Sequence, residues 1–153
     1  MTKNVGVIGL GAMGLGVARS LLRAGFHTYA CDVRADVLAA FAAEGGIACA
    51  TPAQLGAACE VVLTLVVNAE QTERVLLGEN GAAAAMRAGS VVIASSTVAP
   101  EFAESLASRL AAMGIGMIDA PVSGGAAKAA SGQLTVMGAG APENFAKVED
   151  VFK

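Results

Sequence analysis

Short apolar runs alternate with longer stretches of helical period along this chain, and that alternation constrains the fold more than any other feature. Residues 5–10, 28–31, 47–50, 61–67, 90–95 and 115–119 read as strands. Helical patterns over 12–24, 35–44, 52–58, 70–77 and 100–113 fill the five intervals between them. The run over 61–67 is almost continuously apolar, as a strand covered on both faces of a parallel sheet must be. Strands separated by helices imply βαβ crossovers, and so an α/β fold with a doubly wound, mainly parallel sheet.

The punctuation between elements agrees. Gly25 closes the first helix, Gly45-Gly46 the second, and Gly114 the helix over 100–113. Thr51 is placed to cap the helix over 52–58, with Pro52 at its first position. Residues 78–81 read as a turn and 82–86 as a single helical turn. Further on, a Gly-rich loop or short helix is expected over 120–132, a strand over 134–138 and a helix over 141–152. The 153 residues make one domain.

Composition excludes several classes. With 55% hydrophobic and 15% charged residues the chain is not intrinsically disordered. No apolar run approaches the eighteen or so residues of a membrane span, so no membrane partner is expected. A net charge of −3 argues against a nucleic-acid partner. The first residues, Met1 to Asn4, lead straight into a strand-like run, and a cytoplasmic location is expected. Ala and Gly make up about a third of the chain, which predicts close helix–sheet packing with few large anchors, though a GC-rich genome produces the same bias. Cys31, Cys49 and Cys59 are odd in number and irregular in spacing, which fits buried reduced thiols and neither a disulfide framework nor a metal site. His27, the single histidine, precedes the second strand at the end of the sheet away from any ligand edge, and no catalytic role is expected of it.

Directly after the first strand stands Gly9-Leu10-Gly11-Ala12-Met13-Gly14. A glycine pattern alone is weak; a strand before it, a helix after it and an acidic residue closing the second strand make it a dinucleotide fingerprint. Gly9 would form the tight turn, Gly11 would let the backbone approach a pyrophosphate, and Gly14 would let the helix pack closely on the sheet. The first N–H groups of the helix then face the phosphate charge. Asp32, 18 residues past Gly14, could accept from the ribose hydroxyls of NAD and would repel the 2′-phosphate of NADP. Arg34 cuts against this, since a guanidinium could serve that phosphate, and Asp32 and Asp36 could equally be helix caps. At the other strand ends, Val66-Val67-Asn68, Ser96-Thr97 and Ser123-Gly124-Gly125 gather where ligands of open α/β sheets bind. Ser123 with two glycines suits a small carboxylate, with Lys128 as an added cation, and Thr97 could touch the cofactor; plain turns and caps explain the same residues.

The phosphate loop, Ser96-Thr97 and above all Asp119-Ala120-Pro121-Val122-Ser123-Gly124-Gly125 together resemble the β-hydroxyacid dehydrogenase family, in matching order along the whole chain. That resemblance implies a Rossmann dinucleotide-binding domain and hydride transfer between a small hydroxy acid and a nicotinamide cofactor, which Asp32 makes NAD rather than NADP. It assigns Gly9, Leu10, Gly11, Ala12, Met13, Gly14, Asp32, Val33, Val66, Val67 and Thr97 to the cofactor, and Ser123, Gly124, Gly125 and Lys128 to the substrate. Two departures from the usual pattern, Val66-Val67-Asn68-Ala69 and Lys128, are similar to the branch acting on a four-carbon sugar acid, L-threonate. Hydroxyisobutyrate and tartronate semialdehyde are the alternative substrates. The family's acid/base lysine belongs to a second, all-helical domain, so no catalytic residue is expected within these 153 residues; the longer enzyme would be a homo-oligomer. Phe145, Val148 and Phe152 recur along 141–152 as a face awaiting such a domain. A stand-alone NAD-sensing module and an adenosyl-donor methyltransferase are the readings from other classes.

Overall fold

A computed structural model describes residues 3–66, 68–95 and 98–120, together with the backbone of 122–123 and 135–136. Of the loop expected over 120–132, residues 121 and 124–132 lie outside the described residues, as does the helix expected over 141–152. Six parallel strands form the main sheet: β1 (Asn4–Ile8), β2 (His27–Cys31), β3 (Ile47–Ala48), β4 (Val61–Thr64), β5 (Val91–Ala94) and β6 (Gly116–Asp119). Helices α1 (Ala12–Arg23), α2 (Ala35–Ala43), α3 (Pro52–Ala58), α4 (Ala69–Leu77) and α5 (Pro100–Ala111) connect them, with a short 3-10 turn at Ala83–Ala85. The strand order is β3-β2-β1-β4-β5-β6. From β1 the chain winds outward to β3, then returns to the opposite side of β1 at β4. The β1/β4 junction is therefore the point where the winding reverses, with a crevice outside the carboxyl ends of these strands.

Alternation along the strands sends side chains into two cores. Val5, Val7, Leu63, Val91 and Ile93 join Ala18 and Leu21 of α1 and Phe41 of α2 on one face. Ile8, Val62 and Val92 join Leu55 of α3, Leu76 of α4 and Leu106 and Leu110 of α5 on the other. The expected close packing is present: a β-carbon on Gly6 would strike the Leu55 side chain and come within 3.0 Å of Cys59 Sγ. All three cysteines are buried and free, as the spacing argued. His27 is exposed, opens β2 at the amino edge of the sheet, and has its Nδ1 3.2 Å from Asn4 Oδ1.

Helix ends follow their signals. The Thr51 side chain accepts from Gln54 N–H, with Pro52 beginning α3. After α1, Gly25 N–H donates to Leu22 O and Phe26 N–H to Leu21 O, the paired bonds of a Schellman stop. Two strand expectations are corrected. The run over 47–50 contributes only Ile47–Ala48; Cys49 N–H still donates to Ala30 O at 2.8 Å, and the Ala50 N–H turns to the Gln54 side chain at the approach to α3. Within the expected loop over 120–132, Val122–Ser123 instead forms a strand, β7, paired antiparallel with Thr135–Val136, β8, apart from the main sheet. No helix among the described residues is long and apolar enough to cross a membrane.

Candidate functional site

The glycine turn lies at the carboxyl end of β1, beside the switch point. Gly9 has φ +100°, and a β-carbon there would lie 2.7 Å from Leu65 O and 3.3 Å from Val66 Cγ1. Only glycine meets both demands, and the same contact brings Val66 to the turn. Gly9 N–H donates to Cys31 O at 2.9 Å, which ties the turn to the end of β2. At Gly14 a β-carbon would collide with the Gly9 carbonyl oxygen, so α1 starts hard against the turn. Gly11 differs: a β-carbon there meets nothing within 4 Å among the described residues. Gly11 is also the N-cap of α1, with extended backbone and no side-chain cap. The helix start is thus open on the Gly11 side, a geometry suited to an anion.

Asp32 follows β2 and holds this turn. Its Oδ2 accepts from Leu10 N–H at 2.6 Å, and its Oδ1 from Arg34 N–H at 2.8 Å and Arg34 Nε at 3.1 Å. Burial pushes the carboxyl up, but hydrogen bonds from the Arg34 side chain, the Arg34 N–H and the Leu10 N–H, with the guanidinium charge, hold it below its ordinary 3.8. Next to it Val33 is fully exposed, an apolar side chain with no core to join. Leu10 also has a part inside the fold. Its side chain is buried and its N–H and carbonyl are engaged by Asp32 and Arg34, so it positions the turn from within the protein. Met13 is half-buried on α1. The Ala12 side chain, Val67, Thr97, Gly124, Gly125 and Lys128 lie outside the described residues, and Ser123 is described only as backbone in β7.

Two polar groups in the same edge have no hydrogen-bond partner among the described residues: Thr64 Oγ1 and Asp119 Oδ1, both buried. Thr64 registers with Ala94, and Ala94 with Asp119, so the pair flanks a small residue across β4, β5 and β6. Desolvation pushes the Asp119 carboxyl above its ordinary 3.8. Thr64 escaped sequence reasoning inside an apolar run; the one available signal was a hydroxyl amid Val and Leu. The sequence offered Arg34 as a guanidinium that could serve a 2′-phosphate, but its contact with Leu10 O depends on the turn's three-dimensional position.

This geometry coincides with what known proteins show. Residues 4–153 match the NAD binding domain of 6-phosphogluconate dehydrogenase. The chain belongs to that family. The L-threonate dehydrogenase of Cupriavidus necator is 64% identical over 151 residues, covering 99% of this chain and 51% of the relative. Among solved structures, a 3-hydroxyisobutyrate dehydrogenase from Salmonella typhimurium superposes with TM-score 0.94 at 42% identity, covering 98% of this chain and 52% of that one. A further structure, Psf3 in complex with NADP+ and 2-OPP, superposes with TM-score 0.91 at 28% identity, covering 97% and 52%. The chain spans about half the length of the curated relatives it matches. The resemblance to β-hydroxyacid dehydrogenases stands, and the fold is the Rossmann type the strand order requires.

Proposed function

We propose that this chain is the cofactor-binding part of an NAD-dependent dehydrogenase that oxidises L-threonate. The observation that carries the reading is the Gly9–Gly14 turn, locked to β2 through Asp32 and open at Gly11. The residues fit a dinucleotide: open space where a pyrophosphate approaches, a helix start facing it, and a carboxylate with an exposed apolar neighbour where the adenosine would lie. In this reading Gly9, Gly11, Ala12, Met13 and Gly14 receive the pyrophosphate, with Asp32 and Val33 at the adenosine. Val66, Val67 and Thr97 line the nicotinamide end, and Ser123, Gly124, Gly125 and Lys128 receive the substrate carboxylate. A bound nicotinamide supplies the hydride acceptor for a hydroxyl-bearing carbon. The chain's own residues orient the two molecules, and the proton-transfer residue is placed outside these 153 residues.

NAD is preferred over NADP here because Asp32 stays ionised and repels a 2′-phosphate. The 64% identity to an L-threonate dehydrogenase supports that substrate over 3-hydroxyisobutyrate. Likeness to dehydrogenases along nearly the whole chain favours a catalytic domain over a sensing module. The test has two arms. NADH titrated into the 153-residue chain binds, and L-threonate with NAD gives no turnover by that chain alone. In a protein carrying this domain at full family length, L-threonate drives NAD reduction; reduction with 3-hydroxyisobutyrate but not L-threonate would overturn the substrate reading.

A further inference from the structure

The Asp32 carboxylate is already fully engaged inside the chain. Its Oδ1 accepts from the N–H and Nε of Arg34 at 2.8 and 3.1 Å; its Oδ2 accepts from Leu10 N–H at 2.6 Å and Arg34 Nη2 at 3.3 Å. A carboxylate offers about four lone-pair sites, and four donors meet them here. Two of those donors are main-chain groups held by the turn and by the start of α2. The other two belong to one guanidinium on a side chain that is 51% exposed. That guanidinium also donates to Leu10 O at 2.9 Å, and so bridges the glycine turn and the end of β2.

Ribose hydroxyls that donate to Asp32 must displace something, and only the guanidinium can leave without unmaking the backbone. The carboxylate it leaves is only 7% exposed, so the exchange is balanced only because the ribose hydroxyls take up the lone pairs the guanidinium vacates, while the guanidinium itself returns to water. Once displaced, the guanidinium remains tethered two residues from Asp32, beside the same ribose edge. There its planar fork matches a phosphate, and its charge cancels that of Asp32, which alone would repel one.

Resting on the dinucleotide reading above, we propose that Arg34 determines cofactor specificity at this site. Its guanidinium competes with the ribose hydroxyls of NAD for Asp32 and, when released, admits the 2′-phosphate of NADP. The wild-type site therefore favours NAD by a narrower margin than Asp32 alone would set. Removing the guanidinium strengthens NAD binding, the reverse of what loss of a ligand-contacting residue does.

Calorimetric titration of NADH and NADPH into the wild-type chain, R34Q and R34K tests this, with urea unfolding as a control for folding. In R34Q, NADH binds about threefold tighter and NADPH about tenfold weaker, while R34K keeps part of the NADPH affinity through charge without the fork. An NADH-to-NADPH affinity ratio in R34Q within about twofold of wild type overturns the inference and leaves the dinucleotide reading standing. Should R34Q unfold, a wild-type ratio in R34K overturns it equally. If neither dinucleotide binds the wild-type chain, both readings fall together.

Discussion

The carbonyl oxygen of Gly9 occupies the space that a β-carbon on Gly14 would need. This one approach joins the end of β1 to the first turn of α1, and it explains why the last glycine of the motif serves the fold as well as the ligand. Gly14→Ala forces α1 away from the sheet or the turn out of shape. A loss of about 2–4 kcal/mol in urea unfolding is expected, since neither neighbour is a side chain that can swing aside. An Ala variant as stable as wild type would contradict this packing.

Asp32 ties stability to acid pH. Its folded-state pKa lies below the ordinary 3.8, so its contribution is fully present above about pH 4 and is lost as pH falls through the folded value. Asp32→Asn is expected to cost about 1–3 kcal/mol at pH 7, because Leu10 N–H and the Arg34 guanidinium lose a charged acceptor. The gap between variant and wild type should then close below pH 3.8, as measured by urea unfolding at a series of pH values.

Asp119 predicts the opposite sign. Desolvation raises its folded pKa above 3.8, so ionisation penalises the native state, and the penalty grows as pH rises from about 4 through the folded value. Asp119→Asn keeps the shape and removes the charge. Its melting temperature should gain on wild type between pH 4 and pH 7 and run parallel to it below pH 4. A difference independent of pH would show that burial of this charge is not what the protein works against.

Much of this was legible in residue types. The five βα alternations, the Gly9–Gly14 turn and Asp32 follow from period and spacing, because parallel sheets need crossovers and phosphate turns need glycine. What escaped depends on neighbours distant in sequence. β3 ends at Ala48 as the chain turns toward α3, where the Gln54 side chain accepts from Ala50 N–H, and Val122 pairs with Val136 across an interval whose pattern resembles a loop. The part Leu10 plays inside the fold was not legible either: its side chain enters the core and its N–H meets Asp32, a residue 22 positions away.

The thiols give a check on the core that owes nothing to ligands. Burial, with the nearby Cys49 and Asp32 charges, pushes Cys31 up to about 11; burial, with Cys49 and Glu60, pushes Cys59 up to about 12. At pH 8 both remain protonated and enclosed, so reaction with a disulfide reagent should run at the rate of unfolding. Fast labelling of the native chain would mean that the face beneath α3 is open.

The central claim is that the open side of the Gly9–Gly14 turn is where a dinucleotide enters. NADH titrated into wild type and Gly11→Ala measures it directly, because the added methyl meets nothing within 4 Å among the described residues and lies where the pyrophosphate would approach. The account predicts an unfolding curve shifted by less than about 1 kcal/mol and an NADH affinity reduced about tenfold or more. Equal affinity in the two proteins would contradict it.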